Sequence, residues 1–292
     1  MNESNLDYLQ DQVKFTGFGD ELKSKIADNV SAGEDRFKID FSKAFGKDSV
    51  EVELNFSQSK ESDMYFFNNY NVKLQKEGEE DVKQTFYINK NNNITLREAY
   101  NLMSGRSVYK KLSTKEGDEY MAWLKVDFKN TDTAGNFKVK PYNENYGFNL
   151  ESELNQHPIK ELEKDDLKRD LLETVQKGNL AQVTYLKGEQ EEKRYISADV
   201  QFKSINFYDS EKQPLGRRTA IKKEESQGVE APDLSNRNNV GNATSILGNG
   251  AGENADGQAA GRSNRRVTAE QEAEAPEVPE GKRPRKGRTP SV

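Results

Sequence analysis

The 292-residue chain has no cysteine and only one histidine, His157. Without thiols there is no disulfide, no thiolate nucleophile and no zinc site built on sulfur. A lone imidazole followed directly by Pro158 leaves no histidine-based metal cluster and no spare histidine for a triad. Long apolar runs are also missing. None approaches the roughly 18 residues that a membrane-crossing helix needs, and the opening M-N-E-S-N-L-D lacks the basic and apolar regions of a leader. These absences make the cytoplasm the expected compartment, with no membrane, metal or cofactor. Aromatics are absent from one end. All of the 12 Tyr, 14 Phe and 1 Trp lie at or before Tyr208. A stretch with no aromatic, dominated by Pro, Gly, Asn, Glu and Ala, cannot build a packed core. Residues 210–292 are therefore expected to form a long disordered tail, after roughly 210 residues with ample surface for a core.

The charge is divided in the same way. Residues 1–210 hold 30 Lys/Arg against 38 Asp/Glu, whereas 211–292 hold 14 against 12. An acidic body does not advertise affinity for phosphates, which comes from clustered cations. The tail does carry such a cluster. Lys282, Arg283, Arg285, Lys286 and Arg288 follow an acidic block over 270–280. They are candidate contacts for nucleic acid or a partner, weighed evenly against a solubilising role.

Within the body, residues 4–15 have helical spacing (Leu6, Leu9, Val13), with Ser4 or Asn5 as cap, and Gly17 and Gly19 break the helix. Asp20 is placed to cap a second helix carrying Leu22, Ile26 and Val30. Val50, Val52, Leu54 and Phe56 alternate as a half-buried strand. Phe66, Tyr70, Val72 and Leu74 share a parity that Asn68 interrupts, and Val82, Phe86 and Ile88 form the return strand of a hairpin. Thr95 and Glu98 have the spacing of a capping box, with Gly105 as the helix stop. Tyr120, Ala122, Leu124, Val126 and Phe128 line one face of a strand, and Met121 and Trp123 begin the other. Phe137 to Tyr142 returns. A short helix near 150–154 ends at His157-Pro158, and a longer one with Leu167, Leu171 and Val175 ends at Gly178. Strands then run to Asp209. The order of helix, glycine stop, valine-bearing strand and acidic hairpin thus occurs twice, a possible tandem repeat. The fold expected is α+β, mainly antiparallel sheets with packed helices. It divides into 1–92, 93–209 and the tail 210–292.

Catalytic signals are weak. The paired carboxylates Asp165-Asp166, Glu79-Glu80-Asp81 and Glu191-Glu192 sit in charged turns or on an exposed helix face. Acid–base work needs carboxyls perturbed by burial or by each other. His157 is more simply a helix-end residue. Tyr185, Tyr195, Phe202, Phe207 and Tyr208 could stack on single-stranded bases, but strand aromatics without interleaved arginines are more often core.

Three stretches read as longer words: I-T-L-R-E-A-Y-N-L-M-S-G-R-S-V-Y-K-K-L, Y-M-A-W-L-K-V-D-F-K with N-Y-G-F-N-L, and K-G-N-L-A-Q-V-T with Q-F-K-S-I-N-F-Y-D. Together they resemble an uncharacterised protein family of Bacteroidota conjugative transposons and other mobile elements, over most of 1–209. The family's recurrent words fall here on Lys177, Gly178, Asn179, Val183, Gln201, Phe202, Lys203, Asn206, Tyr208 and Asp209. In related sequences a proline often stands where this chain has Val200. The resemblance implies no catalytic residues and no cofactor. Taken with the basic cluster at 282–288, which lies outside the resemblance, the function expected is a non-enzymatic accessory protein of a mobile element that binds a protein partner, nucleic acid, or both, with the basic tail as an electrostatic tether. The alternatives are a structural protein–protein interaction module with no nucleic-acid role, or a component of a DNA-processing enzyme complex. Partner identity and oligomeric state stay open.

Overall fold

A computed structural model describes residues 2–89 and 92–216. The tail, including Lys282, Arg283, Arg285, Lys286 and Arg288, lies outside the described residues. The described part is α+β, with five α-helices and three antiparallel sheets. Helices α1 (Glu3–Val13) and α2 (Lys23–Ala32) precede a four-stranded meander, β1 (Arg36–Phe45), β2 (Asp48–Gln58), β3 (Tyr65–Gln75) and β4 (Val82–Tyr87). Helix α3 (Leu96–Met103) leads into the meander β5 (Val108–Ser113), β6 (Glu119–Thr131) and β7 (Phe137–Asn143). The short α4 (Leu150–Leu154) and then α5 (Asp165–Gln176) lead into β8 (Ala181–Lys187), β9 (Gln190–Asp199) and β10 (Ser204–Tyr208). Helix, then meander, is the order three times over.

The local signals explain most element ends. The Thr95 hydroxyl accepts the Glu98 N–H at 3.3 Å and the Glu98 carboxylate accepts the Thr95 N–H at 2.8 Å, so the capping box is complete. Helix α1 is capped by Asn2, not by Ser4 or Asn5: the Asn2 side chain accepts the Asn5 N–H at 3.1 Å. Asn5 is buried and serves another purpose. Its amide exchanges two hydrogen bonds with the Tyr65 backbone, 3.0 and 2.7 Å, and so fixes α1 to β3. Asp20 does not cap α2 by a side-chain bond. It sits in the turn before it and pairs with Lys14 (3.1 Å) and Lys23 (2.8 Å).

Strand β1 is not among the elements expected, although Phe37, Ile39 and Phe41 alternate with polar residues in it and are buried. In β3 the register against β2 slips at Asn68, which has no opposite number between the pairs Asn55–Asn69 and Phe56–Phe67. Such a bulge turns the side chains before it to the other face. Tyr65 and Phe67 are therefore buried and Phe66 is exposed, opposite to the single parity expected from sequence. Tyr120, Phe128 and Leu167 were placed on apolar faces and are more than a third exposed.

Buried side chains form two clusters. The first runs from Leu9 to Val126 and includes Ala99, Leu102, Ala122, Leu124 and Val126. It therefore crosses the 92/93 point and takes in one face of the β5–β6–β7 sheet. The second contains Trp123 from the opposite face of β6, with Leu150, Leu154, Leu171, Val175, Tyr185, Ile196 and Phe207. Strand β6 is thus shared by both cores.

Three of the six sheet edges are sealed by side chains or short segments that imitate a further strand. Along β4, the Thr85 N–H donates to the Asn136 amide at 2.9 Å, and Gln84 exchanges bonds with the Phe137 backbone at 3.2 and 2.8 Å. Along β8, Leu186 N–H donates to Pro158 C=O at 2.8 Å and the Glu161 carboxylate accepts Thr184 N–H at 2.9 Å. Beside β10, Leu215 N–H donates to Phe207 C=O at 2.8 Å. Unpaired edges are templates for unwanted pairing, so this sealing limits aggregation.

Tyr70 gives the first core a pH limit. It is fully buried in an aromatic group with Phe18, Phe67 and Phe86, and its hydroxyl donates to Ile94 C=O at 2.6 Å. Burial pushes the phenol's pKa well above its ordinary value. A pKa raised by folding gives stability that is full below the unfolded value and lost as pH climbs toward the folded one. Chemical denaturation should show stability falling as pH rises above about 10. Tyr70→Phe should cost about 1–2 kcal/mol at neutral pH, by orphaning the Ile94 carbonyl, and should lessen that alkaline loss.

Candidate functional site

Lys177-Gly178-Asn179 and Gln201-Phe202-Lys203 lie at two places on the seam between the β5–β6–β7 and β8–β9–β10 modules. At the first, Lys177-Gly178-Asn179 ends α5. Gly178 has φ +75°, the left-handed conformation that favours glycine. A Cβ there would stand 2.8 Å from Val108 Cγ2, 2.9 Å from the Ser107 carbonyl oxygen and 3.1 Å from Asn101 Cβ. The missing side chain lets the backbone approach the end of α3 closely enough to be grasped. The Arg106 Nε–H donates to Gly178 C=O at 2.8 Å, and the Asn101 amide donates to Lys177 C=O at 2.7 Å and to the Asn179 side chain at 3.1 Å. Arg106 is buried and also donates to Asn101 Oδ1 at 2.6 Å. Its guanidinium covers the Tyr100 ring at 4.9 Å, Tyr100 stacks on Phe45 at 4.3 Å, and Arg97 lies over Phe45 at 5.0 Å.

At the second, Gln201-Phe202-Lys203 forms a tight turn between β9 and β10. Lys203 has φ +50°, and its ammonium lies 4.7 Å from the Tyr146 ring centroid, while Tyr146 Oη donates to Gln201 C=O at 2.7 Å. Just before it, Val200 is fully buried and its N–H donates to Ser107 Oγ at 3.3 Å. A proline at this position has no N–H to give, so Val200 gains a bond across the seam that proline forgoes. Asp199 pairs with Lys125 of β6, both largely buried. Asn206 lies between, half-buried on β10. Tyr208 and Asp209 are elsewhere: Tyr208 Oη lies 3.1 Å from Ser197 Oγ, and Asp209 accepts from the N–H groups of Glu211 and Gln213 in the turn after β10. Val183 is a buried core residue of β8. The words are thus seam and turn chemistry, not one constellation.

Arg106, Asn101, Lys125 and Asp199 were not singled out from sequence. The available signals are slight: a cation directly after a glycine stop, and a lysine inside the apolar alternation of β6.

The other candidates fall out as follows. The carboxylates of Asp165-Asp166, Glu79-Glu80-Asp81 and Glu191-Glu192 are exposed. His157 is buried edge-on to Phe207 at 4.9 Å. Tyr185 and Phe207 pack against each other inside the second core at 5.5 Å, whereas Phe202 points outward, so the five aromatics form no platform. Among the described residues no three His, Asp or Glu are grouped to hold a metal ion, and no helix is long and apolar enough to cross a membrane.

One broad surface remains, the face of the four-stranded sheet turned away from the helices. Three polar rows cross it: Lys38–Asn55–Asn69–Tyr87, Asp40–Glu53–Asn71–Thr85 and Ser42–Glu51–Lys73–Lys83. Lys38 pairs with Glu53 at 3.0 Å, Asn71 donates to the same carboxylate at 3.0 Å, and Thr85 Oγ1 donates to Asn71 at 2.9 Å. Lys38 and then Asn71 hold the Glu53 carboxyl below its usual range, against a partial burial that raises it. Lys73 bridges Asp81 at 3.2 Å and Glu51 at 3.3 Å. The β6–β7 turn at 134–136 borders this face, which holds a depression of about 880 Å³. Small-molecule sites are mainly apolar and enclosing. This one is open, and the side chains of its three rows are amides, hydroxyls and charges, several of them paired with one another.

No protein-family model, curated protein or solved structure matches this chain.

The seam makes a sharp prediction. Gly178→Ala combines left-handed strain with a clash against backbone, and should cost about 2–4 kcal/mol in urea unfolding. Breaking the buried pair singly, as Lys125→Met or Asp199→Leu, should cost about 3–5 kcal/mol, while the double substitution recovers much of the loss.

Proposed function

We propose that the chain is a non-enzymatic accessory protein of a mobile genetic element of the Bacteroidota, acting in the cytoplasm. Its folded part binds a protein partner on the open face of the four-stranded sheet. Its basic segment 282–288 tethers the complex to nucleic acid. The open polar face carries this reading. It is large, only the β6–β7 turn at 134–136 borders it, and its hydrogen-bonding groups are fixed by cross-strand bonds before any partner arrives. Fixed groups lose little entropy on association, which favours binding. The exposure of the paired carboxylates and the packing of His157 inside the second core favour binding over catalysis, since acid–base work calls for such groups gathered in a cleft.

The nucleic-acid arm follows from charge. An acidic body repels phosphate, so any affinity for nucleic acid should reside in the five cations Lys282, Arg283, Arg285, Lys286 and Arg288. Fluorescence anisotropy of the full chain on a labelled duplex should give a log–log salt slope of roughly −4 to −5 for five phosphate contacts. Replacing the five by alanine should abolish it. A photo-crosslinker at Asn71 should capture a discrete protein partner from the host, and one at Asn29 on α2 should not. Absence of salt-dependent binding with capture retained selects the interaction module with no nucleic-acid role. Equal capture at Asn71 and Asn29 removes the sheet face as the site.

A further inference from the structure

Strand β1 is the longest sheet edge that no other described segment covers. The rims of β4, β8 and β10 are sealed as above, β5 is only six residues long and its Ser113 backbone exchanges bonds with the Asn92 side chain at 3.0 and 2.8 Å, and β7 carries Pro141, which has no N–H to offer. Beside β1 no backbone group outside β2 donates or accepts along Arg36–Phe45 among the described residues. The strand is ten residues long, pairs with β2 without a bulge, and contains no proline. It lacks the devices that blunt edges, apart from its charges.

The phase of its free hydrogen-bonding groups follows from the turn. Phe45 and Asp48 face each other across the two-residue turn Gly46-Lys47, and Gly46 has φ +69°. In such a hairpin the closing pair exchanges both backbone bonds, and bonded pairs then recur at every second residue. The odd residues Phe37, Ile39, Phe41, Lys43 and Phe45 therefore bond to β2. The N–H and C=O groups of Arg36, Lys38, Asp40, Ser42 and Ala44 point outward, and all five residues are exposed.

We propose that β1 pairs antiparallel with β1 of a second copy of this chain, about a two-fold axis at Ile39. An isologous contact must place each residue opposite its mirror position, and the outward groups must meet outward groups. Centring on Ile39 meets both conditions. It puts Lys38 opposite Asp40 of the second copy and Asp40 opposite Lys38, giving two opposite-charge pairs. Arg36 then faces Ser42, and Phe37 faces Phe41 on the core side. Moving the centre by one residue sets Asp40 against Asp40 or Lys38 against Lys38. Opposite charges directly across strands stabilise and like charges destabilise. Asp40 stands opposite Glu53 and has no ion pair among the described residues, and Lys38 of the second copy, besides its own bond to Glu53 at 3.0 Å, reaches it across the contact. The product is one continuous eight-stranded sheet whose two polar faces lie side by side. The contact is small, so the dimer is reversible.

Sedimentation velocity on the full chain should show dimer growing with concentration toward the millimolar range. Asp40→Lys sets four cations against one another and should weaken the dimer by roughly tenfold or more. Lys38→Glu should do the same with four carboxylates. Mixing the two variants restores both pairs and should return a heterodimer near wild-type affinity. Ser42→Pro removes an outward N–H without touching the β2 ladder, and should also dissociate the dimer with the circular dichroism spectrum intact. A chain monomeric at every concentration, a dimer indifferent to Asp40→Lys or to Ser42→Pro, or variants that fail to recombine on mixing would overturn the proposal.

Discussion

Everything in the described fold depends on one three-stranded sheet being apolar on both sides. Strand β6 presents Ala122, Leu124 and Val126 to one core and Trp123 to the other. A three-stranded sheet has little stability of its own, and it persists when its faces are covered. Here the helices and long meander of the N-terminal region cover one face, and the module from α4 to β10 covers the other. Burial of some 25 cal/mol per Å² of apolar surface on each side drives the assembly. The polar bonds along the seam then choose its geometry.

Those bonds are of two kinds. Around Gly178 the contact is backbone to side chain, made possible by an absent Cβ and completed by the buried guanidinium of Arg106. At Lys125 and Asp199 it is charge to charge in a place with little water. Ion pairs of the second kind add little net stability but penalise any alternative packing that leaves one charge unpaired. Apolar faces alone would allow the two modules to slide, whereas these bonds permit a single register. Lys177-Gly178-Asn179 and the Gln201-Phe202-Lys203 turn thus mark where two modules lock, and the open polar face lies on the other sheet.

Much of this was legible in the sequence. The Thr95–Glu98 box, Gly105 and Gly178 as helix stops, and Trp123 standing opposite Leu124 are local signals, and they act as local physics requires. The two strand modules were legible as an order of elements. What escaped was set by partners far away in sequence. The slip at Asn68 depends on β2, so parity counted along β3 alone misplaced Phe66. Asn2 took the cap because Asn5 is committed to Tyr65, sixty residues on. Arg106 looks like a surface cation until Gly178 comes within reach, 72 positions later. The open sheet face could not be read at all, because its rows exist only across four strands.

The sealed edges also set a timetable. The β8 rim is closed by Pro158 and Glu161, which leave the ribosome before β8 itself, and β10 is closed within a few residues of its end. The β4 rim waits for Asn136, 51 positions after Thr85. At translation rates of about 5–20 residues per second that gap lasts roughly 3–10 s. Through that interval a nascent four-stranded sheet displays an unpaired edge, and Lys83 is the one cation β4 carries there against mispairing. A host with slow translation lengthens the exposure. For the β4 edge the vulnerable moment is therefore co-translational, before the β6–β7 turn exists.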